Sequence, residues 1–125
     1  VEEKEEINAK TIYIAPSDYH LLIEKDFSFS LDYSEKINYS RPSIDVTFQS
    51  AAEVYIDRLA CLLLSGSNTD GVNGLIIMKS YGGLALAQDP STASMAYMPE
   101  QAILKVEIDQ VLKIEDMANY INSLV

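Results

Sequence analysis

Residues 59–74, LACLLLSGSNTDGVNG, constrain the fold more than any other part of the chain. Leu59, Ala60, Cys61, Leu62, Leu63 and Leu64 show no polar alternation. A strand carries apolar side chains in both directions when helices cover both of its faces, so this run reads as a central parallel strand. It stops at Ser65 and Gly66, turns through Ser67, Asn68 and Thr69, and resumes at helical spacing with Val72, Leu75 and Ile76. Open α/β sheets build their sites in the loops past the carboxyl ends of their strands, which makes Asp70 the first candidate for chemistry. A second reading stands beside it. An acid at a helix start meets unpaired backbone donors and the positive end of the helix dipole, so Asp70 is equally placed to be an N-cap of the helix that follows.

The flanking segments fill in the rest of an α/β pattern. Residues 1–8, VEEKEEIN, form a charged run suited to a solvated segment or an edge strand. Residues 11–15, TIYIA, are β-branched and aromatic and predict a strand that Pro16, Ser17 and Asp18 turn. Residues 20–24 and 27–31 predict a hairpin around Lys25 and Asp26, in which Phe27, Phe29 and Leu31 alternate with Ser28 and Ser30. Residues 32–41 lack a period and read as a loop. Ile44, Phe48, Ala51, Ala52 and Tyr55 lie on one face of a helix with Ser43 as its N-cap.

Beyond Asp70 a helix over residues 72–80 should end at Gly82 or Gly83, where glycine accepts the left-handed geometry of a C-cap. Residues 84–88, LALAQ, predict a second parallel strand, with Asp89, Pro90, Ser91 and Thr92 as its carboxyl-end loop. Met98, Pro99 and Glu100 open a short helix to Lys105. Residues 109–114 suit a last short strand, and Ile114, Met117, Ala118, Ile121, Leu124 and Val125 a closing amphipathic helix. The fold class is therefore α/β, a mostly parallel sheet with an antiparallel hairpin before it. Few parallel strands follow the apolar run, so the sheet looks incomplete.

Composition excludes several functions. Hydrophobic residues make up 48% of the 125, enough for one core, but no apolar run approaches the ~20 residues of a membrane span. The net charge of −10 without a basic stripe argues against nucleic acid, whose binding rests on Lys and Arg neutralising phosphates. One histidine and one cysteine give no zinc-ligand spacing, and no cofactor motif is present. Cys61, alone and inside the apolar strand, reads as a small buried hydrophobe in a cytoplasmic protein. Gly66, Gly71 and Gly74 do not make GxGxxG, and neither GK[ST] nor GxSxG occurs. The only histidine, His20, is either a hairpin residue bonded to nearby backbone or a group beside a site.

Five segments occur in one order: IAPSDYHLL with Ile14, Ala15, Pro16, Asp18 and His20; RPSIDVTF at 41–48; LSGSNTDG at 64–71; AQDP at 87–90; and Met98-Pro99. In that order and spacing they resemble the catalytic domain of the chemotaxis receptor methylesterase (CheB) family. The resemblance implies a doubly wound, mostly parallel α/β fold with a hairpin. It implies hydrolysis of methyl esters on glutamate side chains of chemoreceptors, and in many members deamidation of glutamine, by a Ser-His-Asp triad. The acid of that triad matches Asp70. The family's serine and histidine belong to motifs upstream of Val1, so residues 1–125 are expected to be the C-terminal part of the domain, inert without that segment. The resemblance sets His20, Gly66, Ser67, Gly71 and Met98 near the site. Many members read Gly-Met-Gly-Asn where this chain has Gly66, Ser67, Asn68 and Thr69, so the methionine that the resemblance sets in the pocket lining is replaced here and the pocket's shape is left open. Implied partners are methyl-accepting chemoreceptors, with a receiver domain or a receptor methyltransferase in the same pathway, and no inserted membrane segment. A non-catalytic signalling module of the same fold is the alternative, and a phosphate- or small-molecule-binding domain using the 66–71 turn is a third reading.

Overall fold

The computed structural model describes residues 1–124; the helical position expected for Val125 lies outside the described residues. An antiparallel hairpin opens the fold, β1 (His20–Ile23) against β2 (Phe29–Asp32), with Leu21 opposite Leu31. Residues 1–8 run along the outer edge of β2: Lys4 N donates to Phe29 O and Ile7 N to Phe27 O. Phe27 does not join the alternating strand face. It sits in the turn at a φ of +61° and packs its ring on Tyr55, while Ser28 is buried in its stead. Residues 11–15 form no strand either. β-branched side chains favour a strand only where a neighbour is available to pair with, and here Tyr13 packs onto Phe29 while Ile12 is left 92% exposed.

Helix α1 (Ile44–Tyr55) follows, then β3 (Ala60–Leu63), α2 (Val72–Ser80), β4 (Leu84–Gln88), α3 (Tyr97–Lys105), β5 (Gln110–Leu112) and α4 (Ile114–Ser123). β3, β4 and β5 form a parallel sheet in that order, Leu63 beside Ala87 and Gln88 beside Leu112. Two β-helix-β units in succession require this parallel pairing, because each helix carries the chain back to the start of the next strand. Among the described residues the apolar run is thus an edge strand and β4 the middle one. Cys61 and Leu63 are buried while Leu64 is 46% exposed. Burial pushes the Cys61 thiol up to about 12, so it stays protonated at neutral pH.

Side chains from Ala52, Leu63, Val72, Leu75, Met78, Ala85, Ala87 and Ala102 fill one core between the sheet and its helices. The approach of α1 to α2 is set by Gly74. A Cβ there would lie 2.8 Å from Phe48 Cβ and 3.1 Å from Asp45 Cα, closer than side chains pack. Its absence brings the two helix N-termini together.

Candidate functional site

The site grows from those paired N-termini. Each helix leaves its first backbone N–H groups without an internal partner, and short polar side chains are the usual remedy. Neither helix is capped by its own N-cap side chain. Gly71, at a φ of +95°, stands at the N-cap of α2 and has none, and Ser43 at the N-cap of α1 turns its hydroxyl elsewhere. The reading of Asp70 as the cap of its own helix is therefore corrected. Its carboxylate reaches across: Oδ2 accepts from Ile44 N at 2.7 Å, and Oδ1 from Asp45 N at 3.3 Å, both in α1. The reverse contact comes from Asp45, whose Oδ1 accepts from Gly71 N at 2.9 Å and Gly74 N at 2.6 Å, in the first turn of α2. Two acids exchange helices, each capping the one to which the other belongs.

Three further side chains complete the cluster. Ser43 Oγ donates to Asp70 Oδ1 at 2.7 Å. Asn38 Nδ2 donates to Asp45 Oδ2 at 2.7 Å and to Asp70 Oδ1 at 3.1 Å, so one amide spans both carboxylates. Asn68 Oδ1 accepts from Asp70 N at 2.9 Å and shapes the turn from within. Asp70 is 3% exposed. Its Oδ1 holds three hydrogen bonds and its Oδ2 one, leaving Oδ2 with an acceptor position not taken by any described residue.

His20 stands next to this cluster and is wholly buried. Ser43 N donates to its Nδ1 at 3.1 Å, so the proton sits on Nε2, which faces Glu35 O at 2.8 Å. Both ring nitrogens are committed to backbone. Ser43 links the imidazole to Asp70, its N–H on the ring and its hydroxyl on the acid. Among the described residues no three His, Cys, Asp or Glu side chains converge as a metal-binding group.

The family profile of the CheB methylesterase matches residues 1–121. The chain belongs to the CheB methylesterase family. A Leptospira interrogans relative, of serovar copenhageni, is 53% identical over 117 residues, 94% of this chain and 61% of its own length. Its name assigns protein-glutamate methylesterase and protein-glutamine glutaminase activity provisionally. A protein-glutamate methylesterase/protein-glutamine glutaminase of Thermotoga maritima is 38% identical over 114 residues, 89% of this chain and 33% of that protein. The crystal structure of the Thermotoga maritima CheB methylesterase catalytic domain superposes with a TM-score of 0.94 at 35% identity, covering 99% of this chain and 67% of that one. The chain thus spans about three fifths of the Leptospira relative and a third of the Thermotoga protein.

Within this CheB-family chain the remaining positions of interest divide in two. Gly71 is part of the cluster: its N–H binds Asp45, and a Cβ on it would lie 2.5 Å from Leu63 Cδ1. Gly66 and Met98 meet on the other side of the loop, where Met98 N donates to Gly66 O and a Cβ on Gly66 would fall 2.5 Å from Met98 Cε. Gln88 at the end of β4 holds that loop by accepting from Ser65 N at 2.9 Å. Ser67 is exposed. The residues that sequence reasoning passed over are Asn38 and Asp45. The one local signal was an acid in the first turn of α1.

Proposed function

We propose that the protein containing this chain is a protein-glutamate methylesterase that acts in the cytoplasm on methylated glutamate side chains of chemoreceptors, and that Asp70 is the acid of its Ser-His-Asp triad. The observation that carries this is the state of the Asp70 carboxylate. It is buried, held in one orientation by bonds to α1, Ser43 and Asn38, and Oδ2 retains an acceptor position. An acid fixed in this manner can accept the Nδ1–H of an imidazole and keep the other ring nitrogen facing a nucleophile. His20 is not that imidazole, because both of its nitrogens are committed to backbone. The serine and histidine are supplied by the segment that precedes this chain in the full domain.

Chemistry then follows the acyl-transfer route. The serine attacks the ester carbonyl, the histidine takes its proton and returns it to the departing methanol, and water hydrolyses the acyl-enzyme with the same histidine as base. Backbone N–H groups beside the serine hold the oxyanion. The same intermediate forms from a glutamine side chain with ammonia as the leaving group, which makes glutaminase activity a chemical neighbour of the esterase.

The test is methanol release from methylated receptors by the full-length protein and its Asp70→Asn variant. In a serine-protease triad the equivalent change costs roughly 10⁴ in turnover, and a loss of that order is the expected outcome. Near-normal release by the variant removes Asp70 from the mechanism. A full-length wild-type protein with no hydrolysis at all favours a signalling module in which Asp70 only caps α1.

A further inference from the structure

Asn38 occupies a position that helix capping alone does not require. Ile44 N, Asp45 N and Ser43 Oγ already satisfy Asp70, and Gly71 N and Gly74 N already satisfy Asp45 Oδ1. Between the two acids lies one neutral group, the Asn38 amide. Its two protons diverge, one to Asp45 Oδ2 and one to Asp70 Oδ1. Since both neighbours are carboxylate oxygens, only the NH₂ end of the amide can face them.

The loop carrying Asn38 is built to hold it there. Ile37 and Ser40 exchange backbone hydrogen bonds of 3.1 and 2.8 Å, and the two residues between them, Asn38 and Tyr39, have φ of +52° and +63°. That is a two-residue turn of the mirror-image type, which favours Asn and Gly and is costly for a bulky side chain. Tyr39 accepts the costly conformation while its own side chain is 97% exposed. Strain kept without a packing return points to the residue it positions.

We propose that Asn38 is a positioning residue for the reaction: by tying Asp70 Oδ1 to Asp45 it fixes the rotation of the Asp70 carboxylate and turns Oδ2 toward the histidine of the triad. Asp45 is its anchor. Without the amide the two carboxylates share no donor and repel, which displaces Asp70 Oδ1 against the bonds it keeps from Ser43 Oγ and Asp45 N while Oδ2 still caps α1 at Ile44 N. The inference rests on the proposed role of Asp70.

The experiment is a double-mutant cycle in the full-length enzyme with methanol release from methylated receptors as readout, kcat being normalised to the folded fraction. Asn38→Gly keeps the positive φ and removes the amide. Its kcat should fall roughly 10- to 100-fold, as for other losses of catalytic alignment, with KM within about twofold of wild type, since the triad geometry acts in the transition state. In the Asp70→Asn background the same substitution should change kcat by less than about twofold, because Asn38 acts only through Asp70. A normal kcat for Asn38→Gly, a rise in KM alone, or a full further loss on top of Asp70→Asn overturns the proposal. If Asn38→Gly does not fold, Asp45→Asn serves. It retains an oxygen for Gly71 and Gly74 but presents NH₂ where Asn38 donates, and it should reproduce the loss in kcat. Normal turnover by Asp70→Asn would defeat the triad assignment itself; an inactive Asp70→Asn beside a normal Asn38→Gly defeats only this inference.

Discussion

Ile44 N lies 2.7 Å from one oxygen of Asp70 and Ser43 Oγ 2.7 Å from the other, so both oxygens face donors. An asparagine in that place has a single acceptor oxygen. Whichever way its amide turns, the NH₂ end meets an N–H or O–H in a buried pocket, and a buried donor left unpaired costs about 1–3 kcal/mol. Asp70→Asn should therefore lower the unfolding free energy by about that amount, read from urea denaturation, in addition to the loss of turnover expected of the proposed triad acid. A variant as stable as wild type would mean that the carboxylate does not cap α1. The two effects separate because one is read on the whole population and the other per folded molecule. Ser43 differs in kind. Ser43→Ala removes one donor from Oδ1 and leaves Asn38 and Asp45 N in place, so the carboxylate keeps its orientation.

Elements with a strong local signal form where the sequence places them. Helix α2 spans Val72–Ser80 as its apolar spacing requires, Gly82 takes a φ of +90° past its end, and β4 covers the whole of LALAQ. What local pattern does not encode is pairing at a distance. Residues 11–15 have strand composition and no partner strand among the described residues. The bonds from Asn38, Ser43 and Ile44 to Asp70 cross 26 to 32 positions, and no period links them. Only the tertiary approach of α1 to α2, set by the missing side chain of Gly74, brings them together. A second long-range acid, Asp109, clamps the β4–β5 crossover. Its carboxylate takes Lys79 Nζ on both oxygens at 2.9 Å and Ala85 N at 2.8 Å. Burial opposes its ionisation, but the Lys79 ammonium and the Ala85 N–H outweigh this and hold the carboxyl below its ordinary value of 3.8. A group whose folded value is depressed stabilises above its unfolded value and loses that contribution as pH falls through the folded one. The pair is partly exposed, so the gap in stability between wild type and Asp109→Asn should be about 1 kcal/mol at neutral pH. It should close as the pH drops below about 4. A gap that persists at low pH would show that the ionised form contributes nothing.

At the scale of the molecule, the sheet is unbalanced. β4 has neighbours on both sides, β3 has one, and the free edge of β3 belongs to the most apolar run in the chain. An unpaired strand edge presents a row of N–H and C=O groups that another strand can complete, and proteins ordinarily cover or charge such edges. Here no charge interrupts Leu59, Ala60, Cys61, Leu62, Leu63 and Leu64. Helix α4 adds to the imbalance: it is amphipathic, yet none of its described residues is buried, and Ile114 and Ile121 face outward. Ile114, Ile121 and Leu124 stay 59%, 47% and 46% exposed, and the chain covers 61% of a relative's length. The 125-residue chain produced alone should therefore self-associate and enhance the fluorescence of a hydrophobic dye, as exposed apolar patches and open edges do. On the proposed reading, in which a preceding segment pairs with β3, the longer protein should remain monodisperse and dark to the dye under the same conditions. Light scattering and dye titration on both forms decide the matter. A monomeric, dye-silent 125-residue chain would mean that β3 tolerates its open edge, and would overturn sheet extension as the route by which the proposed triad's serine and histidine reach Asp70.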